Sequence, residues 1–180
     1  MALVFVMRGI SKMASTQTKL EPNGVTIREA VAEDAPIMIQ FLRELAEYQD
    51  TLEYFHAEEA NLARDGFGPE RQFETLIADF EGQPVGLATF LRTYSTWEGC
   101  AGFFIQDLFV AESVRGKMVG YRLVKEIARI ARERGIDHLQ LNVVHANPAR
   151  DFYNKVGFEH MDDLLTYRLS QAKMNAFLES

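Results

Sequence analysis

Residues 102–110 form a run almost unbroken in apolar side chains, and this run with the loop and helix after it limits the fold more than any other stretch. A strand of that kind is buried on both faces, so other layers must cover it. It leads through Ala111 and Val114 into Arg115-Gly116-Lys117-Met118-Val119-Gly120. From there Val119, Leu123, Ile127 and Ile130 recur at helical spacing until Gly135, which marks one face of a long amphipathic helix. A buried strand feeding a basic, glycine-containing loop at a helix start exposes free amide N–H groups. Such a helix start can hold a pyrophosphate. An ordinary strand-to-helix connection with solvated basic residues explains this segment equally well. The glycine spacing does not fit a dinucleotide fingerprint, and no Gly-Lys-Ser or Gly-Lys-Thr closes a Walker loop.

The surrounding chain supplies the other layers. Residues 25–28 alternate as a short strand. Glu33-Asp34-Ala35-Pro36 then opens a helix carried by Ile37, Phe41, Leu45 and Tyr48 and ending near Gln49. A weaker helix is expected over 56–64, stopped by Asp65-Gly66-Phe67-Gly68-Pro69. Residues 73–80 and 84–91 read as strands joined by the turn Glu81-Gly82-Gln83. A strand is expected over 138–144 and a helix over 147–156, stopped by Gly157. Two terminal strands are expected, one around Phe158 and one over 166–169. The predicted class is α/β (α+β): a mixed sheet with helices against it. We expect a flexible tail over 1–24, one domain over 25–170 and a tail or short helix over 171–180.

Composition narrows the partners. The 180 residues hold 19 Lys and Arg against 26 Asp and Glu, a net charge of −7, which disfavours a nucleic-acid surface. The opening apolar residues are interrupted by Arg8 too early for a spanning helix, and no charged segment precedes them as in a secretory signal. A single cysteine, Cys100, forms no intrachain disulfide and suits a reducing compartment. A cytoplasmic protein without membrane or nucleic-acid partners is expected. Cys100 beside Gly99 reads as a turn residue. His56, His138 and His160 show no metal-ligand spacing, so no metal is expected. The basic residues between Arg129 and Arg134 read as the wet face of the long helix.

The order of elements, the Arg-Gly-x-x-x-Gly loop and the run Asn147-Pro148-Ala149-Arg150-Asp151-Phe152-Tyr153-Asn154-Lys155-Val156-Gly157-Phe158 together resemble the GCN5-related N-acetyltransferase (GNAT) superfamily. Asp65-Gly66-Phe67-Gly68, Tyr94 with Trp97-Glu98-Gly99, and Asp107-Leu108-Phe109-Val110 are similar to diamine (spermidine/spermine) acetyltransferases and their thialysine relatives. The resemblance covers most of the chain and implies a GNAT fold: a mixed, mostly antiparallel central sheet with helices on both faces and a splayed pair of strands that binds acetyl-CoA. Acetyl-CoA would be the co-substrate, with its pantetheine arm added like a strand beside Leu108, Phe109 and Val110. Its pyrophosphate would meet the amides of Gly116, Lys117, Met118, Val119, Gly120 and Tyr121, with Arg115 opening the motif. Asn147 and Arg150 would also touch CoA. Met118 stands where the family pattern has a glycine, a residue that reaches positive φ at no steric cost. Either the loop tolerates a side chain there or CoA binding is weakened.

By the same resemblance Tyr153 would give a proton to the departing CoA thiolate, a transfer suited to the ordinary pKa of about 10 for a phenol and about 8.5 for a thiol. Tyr153 could instead only pack its helix. On the amine side, Gln106 stands where the relatives carry glutamate just before the conserved aspartate. Tyr48-Gln49 replaces a tyrosine–glutamate pair, Ser95 fills an acidic position, and Asp107 alone remains of the set. A small primary amine with one cationic site is therefore expected over spermidine. His145 is a candidate replacement base or a solvated loop residue. Trp97 is a candidate wall of the amine pocket, or a hairpin or dimer contact. A homodimer is expected by analogy. Two other readings stay open: a non-catalytic acyl-CoA-binding domain and a protein-lysine acetyltransferase.

Overall fold

The computed structural model describes residues 24–180. The expected tail lies outside them apart from Gly24. By internal contacts the chain divides after Asn142 into two compact units.

The first unit holds one five-stranded sheet in the order β1 (Val25–Glu29), β2 (Glu74–Phe80), β3 (Gln83–Ser95), β4 (Cys100–Val110), β5 (His138–Leu141). The first three pairings are antiparallel and β4 pairs β5 in parallel, the mixed, mostly antiparallel sheet that the sequence resemblance implies. Glu81 and Gly82 both take positive φ, at 52° and 79°. They close the β2–β3 hairpin with the twist that two-residue turns require.

Side-chain alternation divides the core between the two faces. Ile77, Leu87 and Phe109 are cross-strand partners, and they pack against Ala35, Met38 and Phe41 of α1 (Ala35–Tyr48) and Leu62 of α2 (Glu59–Phe67). The opposite face buries Leu76, Ala88, Phe90, Phe103 and Ile105. There α3 (Val119–Glu133) crosses all five strands through Leu123, Val124, Ile127 and Ile130. Ion pairs secure the entry to α1. Arg28 grips both oxygens of Asp34 at 2.7 and 2.8 Å and donates to Asp79 at 2.9 Å, while Asp34 accepts the Val31 amide at 2.8 Å. The Arg28 bond holds the Asp34 carboxyl below its ordinary pKa despite burial.

Several boundaries differ from the sequence reading. The second helix starts at Glu59 and continues through Phe67, past the expected stop. Asn61 caps it by accepting the Glu58 amide at 2.9 Å, and Gly66 fits inside because the Phe73 ring covers its Cα. Strand β5 ends at Leu141, not at residue 144, because its pairing with β4 stops at Ile105. A strand without a neighbour loses the hydrogen bonds that define it.

The second unit contains α4 (Ala149–Val156) and α5 (Gln171–Leu178). Gly157, at φ 106°, ends α4, and the Gly157 and Phe158 amides both return to the Tyr153 carbonyl, a left-handed helix stop. The expected terminal strands at Phe158 and 166–169 are absent among the described residues. Short apolar alternation shows only that a segment can pair, whereas a strand also needs a partner edge. At the C-terminus, Ser170 caps α5 by accepting the Lys173 amide.

Candidate active site

The site residues of the first unit owe their placement to one irregularity in β4. Register with β3 runs Thr89↔Asp107 and then Phe90↔Ile105, leaving Gln106 as an extra residue. Such a bulge reverses which parity of side chain faces which layer. Phe103 and Ile105 therefore face α3, whereas Asp107 and Phe109 face α1. Parallel pairing with β5 also ends at Ile105. From Gln106 to Val110, β4 continues with β3 on one side and, among the described residues, no strand on the other.

Asp107 is half-buried and opposes Thr89, whose hydroxyl donates to its carboxylate at 2.6 Å. Burial pushes the Asp107 carboxyl above its ordinary pKa, and the Thr89 bond opposes that only in part. Gln106 is exposed at the bulge. Thr89 was not identifiable as a site residue from sequence, because its role depends on strand register.

Beyond Val110 the chain turns through buried Val114 into the basic loop. Gly116 has φ 81°, and Met118 has φ 66° and ψ 13°. Met118 thus occupies the left-handed conformation that glycine would adopt with less strain. It is the N-cap of α3, and among the described residues no side chain caps that end. The first helical bond runs from the Arg122 amide to the Met118 carbonyl, so the amides of Val119, Gly120 and Tyr121 lack intrahelical acceptors. The Arg115 guanidinium lies 5.0 Å over the ring of Tyr48 and makes a long 3.5 Å contact with the Val110 carbonyl. The Lys117 ammonium stands 4.1 Å over the Phe80 ring. Tyr48, the last residue of α1, is thereby tied to the loop.

Trp97 is separated from these groups. It is 98% exposed in the β3–β4 turn, next to the end where Ser95 pairs with Cys100. At about 3.3 Å per residue, the seven residues from Cys100 to Asp107 span roughly 23 Å. Within one chain, Trp97 does not wall a pocket with Asp107, which corrects that expectation. It stands at the hairpin tip, turned to solvent. Cys100 is also not an isolated turn residue, since it stands 4.0 Å from Nδ1 of His138 and 3.8 Å from Glu98.

In the second unit, Asn147 accepts the Ala149 amide at 2.9 Å and so secures the first turn of α4. Arg150 donates to the His145 carbonyl at 3.2 Å and lies 3.5 Å from the Nδ1 of that residue. Tyr153 is half-buried, edge-on to Phe152 and Phe158 at 5.2 and 5.7 Å. Burial raises its phenol above the ordinary pKa, which keeps it protonated at neutral pH.

In the first unit, a strand edge that opens at a bulge thus leads to an uncapped, basic helix start. The sequence matches the acetyltransferase (GNAT) family over residues 37–158. This chain belongs to the GNAT acetyltransferase family. The matched span runs from the first turn of α1 through α4. Thialysine N-epsilon-acetyltransferase of Bos taurus is 31% identical over 148 residues, covering 77% of this chain and 86% of that protein. The Sus scrofa protein of the same name is 32% identical over 142 residues, covering 74% and 83%. Among solved structures, an integron cassette protein from the mobile metagenome of V. cholerae superposes with a TM-score of 0.72 at 24% identity, covering 87% of this chain and 99% of that one. An aminoglycoside acetyltransferase from an uncultured soil metagenomic sample gives 0.70 at 17% identity, covering 83% and 97%. These last two likenesses concern the fold. GNAT enzymes take acetyl-CoA as co-substrate, and this chain is an N-acetyltransferase of that family.

Proposed function

We propose that this GNAT enzyme transfers the acetyl group of acetyl-CoA to a primary amine on a small molecule that carries few positive charges, such as an amino acid or a thialysine-like compound. The observation that carries the proposal is the continuity from the open edge of β4 to the uncapped start of α3. Leu108 and Val110 would bond the pantetheine arm along that edge, with Phe109 anchoring the strand in the core. Amides from Gly116 to Tyr121 would receive the pyrophosphate, with Arg115 and Lys117 supplying positive charge. The positive φ kept at Met118 supports a competent loop and weakens the motive for a non-catalytic reading. In the second unit, Asn147 and Arg150 are assigned to CoA.

The amine nitrogen attacks the thioester carbonyl, its lone pair forming the C–N bond as the C–S bond breaks. CoA leaves as a thiolate and takes the phenolic proton of Tyr153, the catalytic acid. The Tyr153 phenolate is reprotonated from solvent, and the amine loses its proton to Asp107 or to solvent. His145 is a second candidate for that proton. Positioned proton transfer is worth about 10² to 10⁴ in rate.

The preference for a lightly charged amine rests on two positions where the resemblance implies a carboxylate and this chain has none. Gln106 and Gln49 are neutral, and each missing carboxylate removes a partner worth about 1–4 kcal/mol to a nearby ammonium. The name of the Bos taurus and Sus scrofa relatives, thialysine N-epsilon-acetyltransferase, points the same way. We also assign the protein to the cytoplasm as a homodimer, in keeping with its single cysteine and with the pairing expected by analogy. No helix among the described residues is long and apolar enough to cross a membrane.

Thiol release from acetyl-CoA across a panel of amines, amino acids, polyamines and aminoglycosides tests the reading. Lysine-like amines should turn over faster than spermidine. Tight CoA binding without turnover on any amine would instead establish the non-catalytic alternative, and turnover only on protein lysines would move the substrate class.

A further inference from the structure

At the other end of β4 from the open edge, three unlike ligand groups converge. Glu98 lies in the β3–β4 turn, Cys100 begins β4 and His138 begins β5. One ligand atom from each lies within 4.8 Å of the others. The Cys100 Sγ is 3.8 Å from a Glu98 carboxylate oxygen and 4.0 Å from the His138 Nδ1. We propose that Glu98, Cys100 and His138 form a three-ligand site for a borderline divalent cation, zinc above all, with the fourth position left to water.

Three observations support this site. The first is its dimensions. Zinc bonds of about 2.3 Å to sulfur and about 2.0–2.2 Å to nitrogen or oxygen, at tetrahedral angles, separate ligand atoms by about 3.6 Å. The two measured gaps exceed that by only a few tenths of an ångström, within the reach of small side-chain rotations. The second is the ligand mixture. A thiolate, an imidazole and a carboxylate suit zinc, whereas magnesium and calcium take oxygen alone. The third is the backbone that positions the histidine. His138 is the register partner of Gly102, and a Cβ on Gly102 would lie 2.2 Å from His138 Nε2. The imidazole therefore lies across a gap that only glycine leaves, with Nδ1 directed toward Cys100.

The sequence does not reveal this cluster, because 38 residues separate Cys100 from His138 and only the parallel register brings them together. A bound ion would join the β3–β4 hairpin to the start of the four-residue β5 and fix the register of the parallel pair. The cluster is distinct from the CoA edge, so the site stands or falls independently of acetyl transfer.

The chain has one cysteine, so any thiolate–metal signal reports Cys100. Full-length protein stripped with a chelator should develop a thiolate-to-cobalt charge-transfer band that saturates at one Co²⁺ per chain and is bleached by Zn²⁺. Zn²⁺, but not Mg²⁺, should slow alkylation of Cys100 about tenfold or more. Cys100→Ser should abolish the band, and Glu98→Gln and His138→Gln should each weaken Zn²⁺ binding about tenfold or more. Glu98 is exposed, so its variant tests the site even if His138→Gln fails to fold. Absence of both band and protection at saturating metal would overturn the proposal, as would protection unchanged in Glu98→Gln and His138→Gln.

Discussion

Met118→Gly is the sharpest test of the loop geometry. Met118 holds φ 66° at the N-cap of α3, and a side chain in the left-handed region costs roughly 1–2 kcal/mol. Glycine removes that strain but frees the unfolded chain, at about 0.4–1 kcal/mol. Little burial is lost, because Met118 is 52% exposed. The net expectation is a gain of about 0.5–1 kcal/mol, or about 1–4 °C in Tm for a chain of this length. Met118→Ala keeps the strain and should stay within about 0.5 kcal/mol of the native chain. Met118→Val, β-branched in the same conformation, should lose stability. Because the loop already has the geometry glycine would adopt, acetyl-CoA affinity should change by less than about threefold, under 1 kcal/mol. Urea denaturation and calorimetric titration with acetyl-CoA read the two quantities. Destabilisation by glycine, or CoA binding tightened tenfold or more, would refute the reasoning, since either would mean that the side chain does not strain a loop already shaped to bind.

Tyr153→Phe should keep acetyl-CoA affinity and lower turnover about tenfold or more; undiminished turnover would leave Tyr153 a packing residue. Asp107→Asn should remove the acidic limb of the pH–rate profile. That limb should lie above the usual carboxylate range because burial raises the Asp107 pKa. A raised carboxyl makes the ionised group a liability above its unfolded pKa, so neutral-pH stability should be unchanged or higher while turnover falls. Asp34→Asn should lose about 1–3 kcal/mol at neutral pH, as it breaks the bidentate Arg28 pair. Asp34 is depressed in the fold, so its contribution is present above about pH 4 and disappears as pH falls through the folded value. Denaturation midpoints measured down to about pH 2 should show that slope in the native chain and a shallower one in the variant.

What the sequence made legible was whatever repeats locally. The apolar run of β4 and the 3.6-residue period of α3 come directly from burial on two faces and on one, and both elements are found within two residues of their expected bounds. The Glu81-Gly82 turn was equally readable, because its chemistry dictates its backbone. Features that depend on pairing were not. The bulge at Gln106, the Thr89–Asp107 bond and the approach of His138 to Cys100 all require strand register, which local alternation does not specify. The expected strands near Phe158 and over 166–169 failed for the same reason: alternation marks a segment that can pair, without supplying an edge to pair with. Met118 was legible as an anomaly, but its left-handed conformation was not, because residue identity favoured the opposite choice.

The bulge also links the charge of the chain to the chemistry of its site. An acidic chain with a net charge of −7 would be expected to attract polyamines anywhere. Exposed surface carboxylates are screened over about 10 Å at moderate salt, however, and contribute little to one bound ammonium. A half-buried carboxylate contributes more, because fewer waters compete for it. By turning Asp107 toward Thr89 and α1 and leaving Gln106 exposed, the bulge confines the strong negative charge of this strand to one group. On the reading proposed above, a substrate with one ammonium satisfies that group, whereas the further ammoniums of spermidine would find no second carboxylate on β4 and would lose water without a compensating charge. On that reading, selectivity for a lightly charged amine would come from where carboxylates are absent, and the overall charge of the protein would have little bearing on it.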